Sequence, residues 1–310
     1  MLLLSGCGQT AVSEEVVYLD PVPLAEAALS AETDALSQSP APTITLLTPE
    51  ASGTQAKKAA RATIDYSNTK DGYVMVKYTA TTSKRLKAQV KGPTTTYTYN
   101  LTAGNWEVFP LSDGNGNYQV AVFENVTGTK YAVVASTSFS VTLTDEFAPY
   151  LRPNQYVDYT SAENTLAKAK ELIGEETEVL KKVEKVYDFV VSELTYDREK
   201  AATVQSGYLP VLDDVLAAKK GICFDYAALM TGMLRSQGVP CKLVVGYAGT
   251  AYHAWISVWS ADTGWVDGAI FFDGSSWQRM DPTFASSANK SAAIMNYIGD
   301  GKNYTAKYLY

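Results

Sequence analysis

The sequence predicts an α+β chain: an all-β unit, then a unit in which helices give way to strands. Three observations predict it. Between residues 61 and 144, short runs rich in Tyr, Val and Phe are separated by Gly, Pro, Asn and Asp turn signals. From Thr160 the apolar residues switch to three- and four-residue spacing, the period of a helix buried along one face. Beyond Pro240 the strand-like runs return. A length of 310 residues with 46% hydrophobic side chains suffices for two cores of ordinary domain size.

At the start, Leu4-Ser5-Gly6-Cys7 looks like the lipobox of a bacterial lipoprotein, where small residues precede a cysteine that is diacylated. Residues 1–7 are therefore expected to be a signal remnant, with lipidation at Cys7 anchoring a secreted chain to the extracellular face of a membrane. Residues 8–60 are rich in Ala, Ser, Thr, Glu and Pro and bury no core, so they read as a flexible tether. No other stretch reaches the roughly 18 apolar residues that span a bilayer.

In residues 61–144, Tyr73–Tyr78, Tyr118–Phe123 and Ser138–Leu143 read as strands. Turn signals stand at Asp71-Gly72, Gly92-Pro93, Asp113–Asn117 and Thr127-Gly128. Six or seven short strands in this space predict an Ig-like β-sandwich. It carries no motif with chemistry, so a spacer or scaffold is expected of it, with surface or glycan binding as the sharper alternative.

Residues 145–310 form the second unit. Thr160-Ser161-Ala162-Glu163 has the pattern of a capping box. Val179, Leu180, Val183, Val186, Tyr187, Val190, Val191 and Leu194 make one apolar helical stripe. Thr195-Tyr196-Asp197 is given a structural role. A short helix near Val211–Ala218 leads to Gly221 and a helix over 223–236. Lys242–Tyr247, His253–Trp259 and Trp277–Asp281 then read as strands.

Composition removes several functions. A net charge of −7 gives no basic footprint for nucleic acid. Three cysteines make no disulfide framework. Cys223 and Cys241 would stand at opposite ends of one helix, about 20 Å apart at 1.5 Å per residue, so they are not expected to pair. Cys241 reads as a small buried residue entering a strand. No cluster has metal-ligand spacing and no Gly-rich loop could cradle a phosphate, so neither metal nor cofactor is implied.

The chemistry concentrates on the only histidine, His253, which lies after Cys223 and before Asp281. A thiol is mostly protonated at neutral pH. The start of a helix, with its free N–H groups and positive dipole end, favours the thiolate, and a nearby imidazole serves as base. Gly221 leaves room beside the nucleophile. Asp225, two positions along the helix, is turned away from Cys223 and is expected to cap the helix or bond within the domain. Of the later aspartates, Asp262, Asp267 and Asp273 sit at turns. Asp281 ends a strand stopped by Pro282, and antiparallel pairing of that strand beside His253 would let its carboxylate fix the imidazole tautomer. The Cys223 N–H is a natural oxyanion donor; Tyr208 and Gln205 are open alternatives for the second.

These residues also carry a resemblance. Gly221-Ile222-Cys223-Phe224-Asp225-Tyr226-Ala227, Leu234-Arg235 with Gly238-Val239-Pro240, Val245-Gly246-Tyr247, His253-Ala254-Trp255 and Asp281-Pro282-Thr283 together resemble the transglutaminase-like superfamily, over roughly the last half of the chain. The resemblance implies a papain-like α+β domain and a Cys223–His253–Asp281 triad acting on amide bonds through a thioester. The implied substrate is a protein or a cell-wall peptide, reached without a cofactor. Small bacterial members lack the domains that shield an acyl-enzyme, so hydrolysis is favoured over transamidation. The alternative is a binding or scaffold lipoprotein that keeps the fold without the chemistry. The oligomeric state is left open.

Overall fold

The computed structural model describes residues 46–262, 264–267, 269–272, 277–280 and 304–310. Cys7, most of the expected tether and Asp281 lie outside the described residues.

The N-terminal region is built from β1 (Ala56–Lys58), β2 (Ala62–Asp65), β3 (Tyr73–Tyr78), β4 (Leu86–Lys91), β5 (Thr96–Leu101), β6 (Trp106–Pro110), β7 (Gly116–Thr127) and β8 (Lys130–Val141). They form two antiparallel sheets of four strands, ordered β1-β2-β3-β6 and β5-β4-β7-β8. Alternation explains the second sheet. Along β5 the residues run exposed and buried in turn, so Tyr97, Tyr99 and Leu101 face the core beside Leu86, Ala88 and Val90 of β4. From the first sheet, Ile64, Val74, Val76 and Phe109 join the same buried cluster. Gly128 at φ 52° supplies the left-handed residue of the β7–β8 hairpin. β1 lies inside the stretch expected to be tether: it pairs with β2, so the ordered chain begins before residue 61.

The C-terminal region contains α1 (Glu163–Ile173), α2 (Val179–Glu193), β9 (Thr195–Tyr196), α3 (Arg198–Thr203), α4 (Leu212–Ala218), β10 (Lys220–Gly221) and α5 (Cys223–Ser236). Then come β11 (Cys241–Ala248), β12 (Ala251–Ser260), β13 (Gly264–Asp267), β14 (Ala269–Phe272), β15 (Trp277–Met280) and β16 (Tyr304–Leu309). The fold is thus mixed, with strands and helices in both roles the sequence predicts. The α2 stripe is buried as its spacing requires. α5 is enclosed along nearly its whole length and packs on β11 and β12, with α1, α2 and α4 around it.

Three local expectations need correction. The Thr160–Glu163 capping box does not form; α1 starts at Glu163, and the Asp213 carboxylate on α4 accepts the Asn164 and Thr165 N–H groups instead. The sequence pattern marks no helix after Asp197, yet α3 forms there: Asp197 caps it by accepting the Lys200 N–H at 2.9 Å. The strand at Trp277 does not pair beside His253. β12 pairs with β11 along most of its length and with β13 only over Ser257–Ser260, and β15 pairs with β14 in a separate hairpin.

Arg235 explains the Leu234-Arg235 motif. It is buried, and its guanidinium donates to the main-chain oxygens of Cys241 (2.8 Å), Arg152 (2.7 Å) and Tyr310 (2.6 Å). One side chain therefore ties the end of α5 to β11, to the residue following β16 and to the segment between the two regions. Aromatic packing joins the regions as well. Tyr310 stacks on Tyr156 (centroids 4.0 Å, 5°) and meets Tyr97 and Tyr99 edge-on at 5.7 and 5.9 Å.

Candidate active site

Cys223 is the first residue of α5, presented by an extended Ile222 that follows the short β10. Asp225 sets this helix start. It is fully buried, and its carboxylate accepts the Ile222 N–H at 2.7 Å, the Lys200 ammonium at 2.7 Å and the Tyr208 hydroxyl at 2.5 Å. Asp225 thus points away from the thiol and caps the turn that carries it. Burial, reinforced by the bond to Asp225, holds the Tyr208 phenol well above its ordinary value, so it remains a donor. Lys200 also lies 4.2 Å from the Tyr208 ring centre, closing the cage.

Gly221 is required for a reason other than substrate access: a Cβ there would stand 2.6 Å from the Asp225 Cβ, so the absent side chain lets the cap pack. Tyr208, one of the two alternatives for an oxyanion donor, has its hydroxyl committed to Asp225. Gln205 donates to the Thr203 carbonyl at 2.8 Å.

His253 sits on β12, directly across from Gly246 of β11, and is 5% exposed. Its ring runs nearly parallel to that of Trp255, with centroids 6.4 Å apart. Gly246 is squeezed between β12 and β16: a Cβ would meet the Thr305 carbonyl and stand 2.9 Å from the Trp255 ring. The close approach of three strands is what fixes the His253 backbone.

Cys223 and His253 line one cavity of about 380 Å³, within the usual range for a ligand site. Tyr156, Phe224, Tyr252 and Tyr308 supply aromatic walls. Burial, followed by smaller contributions from Tyr156, Tyr308, Tyr247 and Cys223, pushes the Tyr252 phenol up to about 12. The structure therefore brings Cys223 and His253 to one space, while Asp281 lies outside the described residues. Thr98, Asn100 and Gln155, from the N-terminal sheet and the segment after it, also line the cavity, and no sequence motif had marked them.

Cys241 is fully buried at the start of β11, 3.6 Å from the Thr231 hydroxyl, and burial pushes its thiol up to about 11. It is inert packing. Among the described residues no three His, Cys, Asp or Glu side chains group as metal ligands, and no helix is long and apolar enough to cross a membrane.

Comparison with known proteins gives the same part of the chain its kinship. The family described as the transglutaminase-like superfamily matches residues 166–282. Uncharacterized proteins of Mycobacterium tuberculosis and Mycobacterium bovis are 29% identical over 130 residues, which cover 37% of this chain and 36% of theirs. The chain thus spans about a third of the length of the curated relatives it matches. Among solved structures, the periplasmic domain of TgpA from Pseudomonas aeruginosa is similar at 14% identity and a TM-score of 0.36, over 79% of this chain and 99% of that one. Red sea bream transglutaminase is similar at 13% identity and a TM-score of 0.31, over 71% of this chain and 49% of that one.

Proposed function

We propose, on the premise that residues 166–282 belong to the transglutaminase-like superfamily, that this protein is a thiol enzyme acting on amide bonds. The observation that carries the reading is the shared cavity: Cys223 at a helix start and His253 on the neighbouring strand open onto one space. Cys223 Sγ, having lost its proton to His253, attacks the amide carbon. The C–N bond breaks, the imidazolium gives its proton to the departing amine or ammonia, and a thioester remains. Water or a primary amine then attacks the thioester and restores the thiolate. The first turn of α5 supplies main-chain N–H groups for the developing oxyanion. Asp281 is proposed to hold the His253 tautomer. We read the two N-terminal sheets as an Ig-like sandwich. Cys7 is proposed to carry a lipid anchor at the extracellular face, tested by detergent partitioning: equal partitioning of wild type and Cys7→Ala would dismiss it.

The catalytic reading is tested by incubating the chain with glutamine-containing and cell-wall peptides, with and without a primary amine, and weighing the products. Amine incorporation marks a transglutaminase, a shift of about one dalton marks an amidase, and chain cleavage marks a protease. Cys223→Ala and His253→Ala should each abolish turnover, because nucleophile and base act as one unit. Asp281→Asn should slow acylation by about 10⁴ if it governs the tautomer. If no donor forms an adduct and Cys223 reacts with iodoacetamide like a free thiol, the protein is a scaffold instead.

A further inference from the structure

β5 is the terminal strand of its sheet, so one of its long sides has no ladder partner. The direction of its backbone groups follows from parity. The Thr95 carbonyl accepts the Gly92 N–H at 2.9 Å, toward β4, whereas the Asn100 carbonyl accepts the Gln155 side-chain amide at 2.5 Å, from outside the sheet. In an antiparallel pair successive residues turn their N–H and C=O groups to opposite sides. Thr96, Thr98 and Asn100 therefore present theirs to the open side. Gln155 occupies the Asn100 carbonyl. Beyond the β4 ladder, the Thr98 N–H and C=O have no hydrogen bond among the described residues.

That open edge faces the chemistry. Thr98, Asn100 and Gln155 line the same cavity as Cys223 and His253. The loop through Gly207 also lines the cavity, and at φ +94° it comes so close to the Asn100 side chain that a Cβ would collide with it. Tyr156 joins the two ends of the space: it stacks on Tyr310 and lies 5.4 Å from Phe224, the residue after the nucleophile. A groove with an edge left open at Thr98 and aromatic rings in its lining has the features needed to bind an extended main chain by strand addition.

We propose that the free edge of β5, at Thr98, binds the acyl donor as an added strand, which makes the donor an extended polypeptide rather than a small amide. This rests on the catalytic reading of Cys223. The N-terminal sheet is then part of the substrate site, not a spacer. In an added strand alternate side chains point the same way. One row faces Tyr156, Phe224 and Tyr252, which selects apolar or aromatic residues at every second position of the donor; the other row faces solvent.

The test uses the full chain carrying Cys223→Ala, so that binding is read without turnover. The probe is a synthetic peptide alternating Phe and Thr around one Gln, titrated by calorimetry. Thr98→Pro removes an N–H that no ladder bond uses, a change that edge strands tolerate. It should weaken binding about three- to tenfold more than Thr98→Val, which keeps the amide. If circular dichroism shows that Thr98→Pro fails to fold, single N-methylation along the peptide decides: methylation at one alternate position should weaken binding by a similar factor. Equal binding by folded Thr98→Pro and Thr98→Val, insensitivity to every N-methyl group, or no binding of the peptide overturns the proposal. Binding that depends on the Thr98 amide, with no adduct at Cys223 in the unmutated chain, would uphold the edge and sink the catalytic reading alone.

Discussion

At the scale of single residues, two buried carboxylates organise the two halves of the molecule. Glu124, on β7, accepts the Tyr78 hydroxyl, the Lys84 ammonium at 2.9 Å and the Arg61 guanidinium at 2.7 Å. The Tyr78 bond first, then the two cations, hold its carboxyl down at about 2. An ordinary glutamate titrates at about 4.3 in the unfolded chain. A folded-state value below the unfolded one means the group contributes stability above the unfolded value, and this is lost as pH falls through about 2. Glu124→Gln should therefore lower the melting temperature at neutral pH. The gap from wild type should narrow below about pH 5 and close near pH 2; a gap independent of pH would show that the charge is not what stabilises. Asp225 gathers its own partners at the turn that carries Cys223. Its turn away from the thiol was legible from helical geometry, because two residues along a helix cover about 200°. Its partners were not: Lys200 and Tyr208 reach it from a helix and a loop that no local pattern places there. The need for Gly221 likewise came from the Asp225 side chain.

Among the elements, period was legible and partnership was not. The three- and four-residue spacing of α2 and the alternation of β5 are local properties that the fold preserves. Caps and strand neighbours depend on chain brought from elsewhere. α1 shows the consequence. Its first amides are satisfied by Asp213 of α4, which accepts the N–H groups of Asn164 and Thr165 as well as the Asn164 amide and the Thr165 hydroxyl at 2.8 to 3.1 Å. One carboxylate thus caps α1 from the first turn of another helix, where its charge also favours α4's own dipole. Asp213→Ala should cost about 1–2 kcal/mol, seen as a lower urea midpoint with an unchanged slope. Thr160→Ala and Ser161→Ala, the changes a local capping box would make damaging, should each cost less than Asp213→Ala. The reverse order would restore the capping box. β15, likewise, has β14 as its partner and not β12, a choice its own residues do not announce.

For the molecule as a whole, the change of period near residues 145–160 marks a change of architecture without marking a gap in the core. One buried cluster runs from Ile64 and Val120 through Tyr99 to Tyr310, Tyr226 and Ile256. Tyr310 is the pivot. Its ring touches Tyr97 and Tyr99 of β5 and Tyr156 of the connecting segment, while its main-chain oxygen accepts Arg235 from the end of α5. Residues so distant in sequence leave no local signature of their contact, so a reading by period expects two units that melt apart. The shared core predicts a single cooperative transition. Tyr310→Ala removes a mostly buried aromatic ring from the junction and should cost about 3–5 kcal/mol. Because the ring packs against both regions, it should lower the calorimetric transition without dividing it. Two probes locate the effect: hydrogen exchange at the β4 and β7 amides reports the N-terminal sheets, and alkylation of Cys223 reports α5. In the variant both should shift by the same amount. If the β4 and β7 amides kept their wild-type midpoint while Cys223 became reactive at lower temperature, the sheets would fold on their own. The wall they give the cavity would then be a docked surface, free to part from the nucleophile, and donor binding at β5 would weaken as the two regions separate.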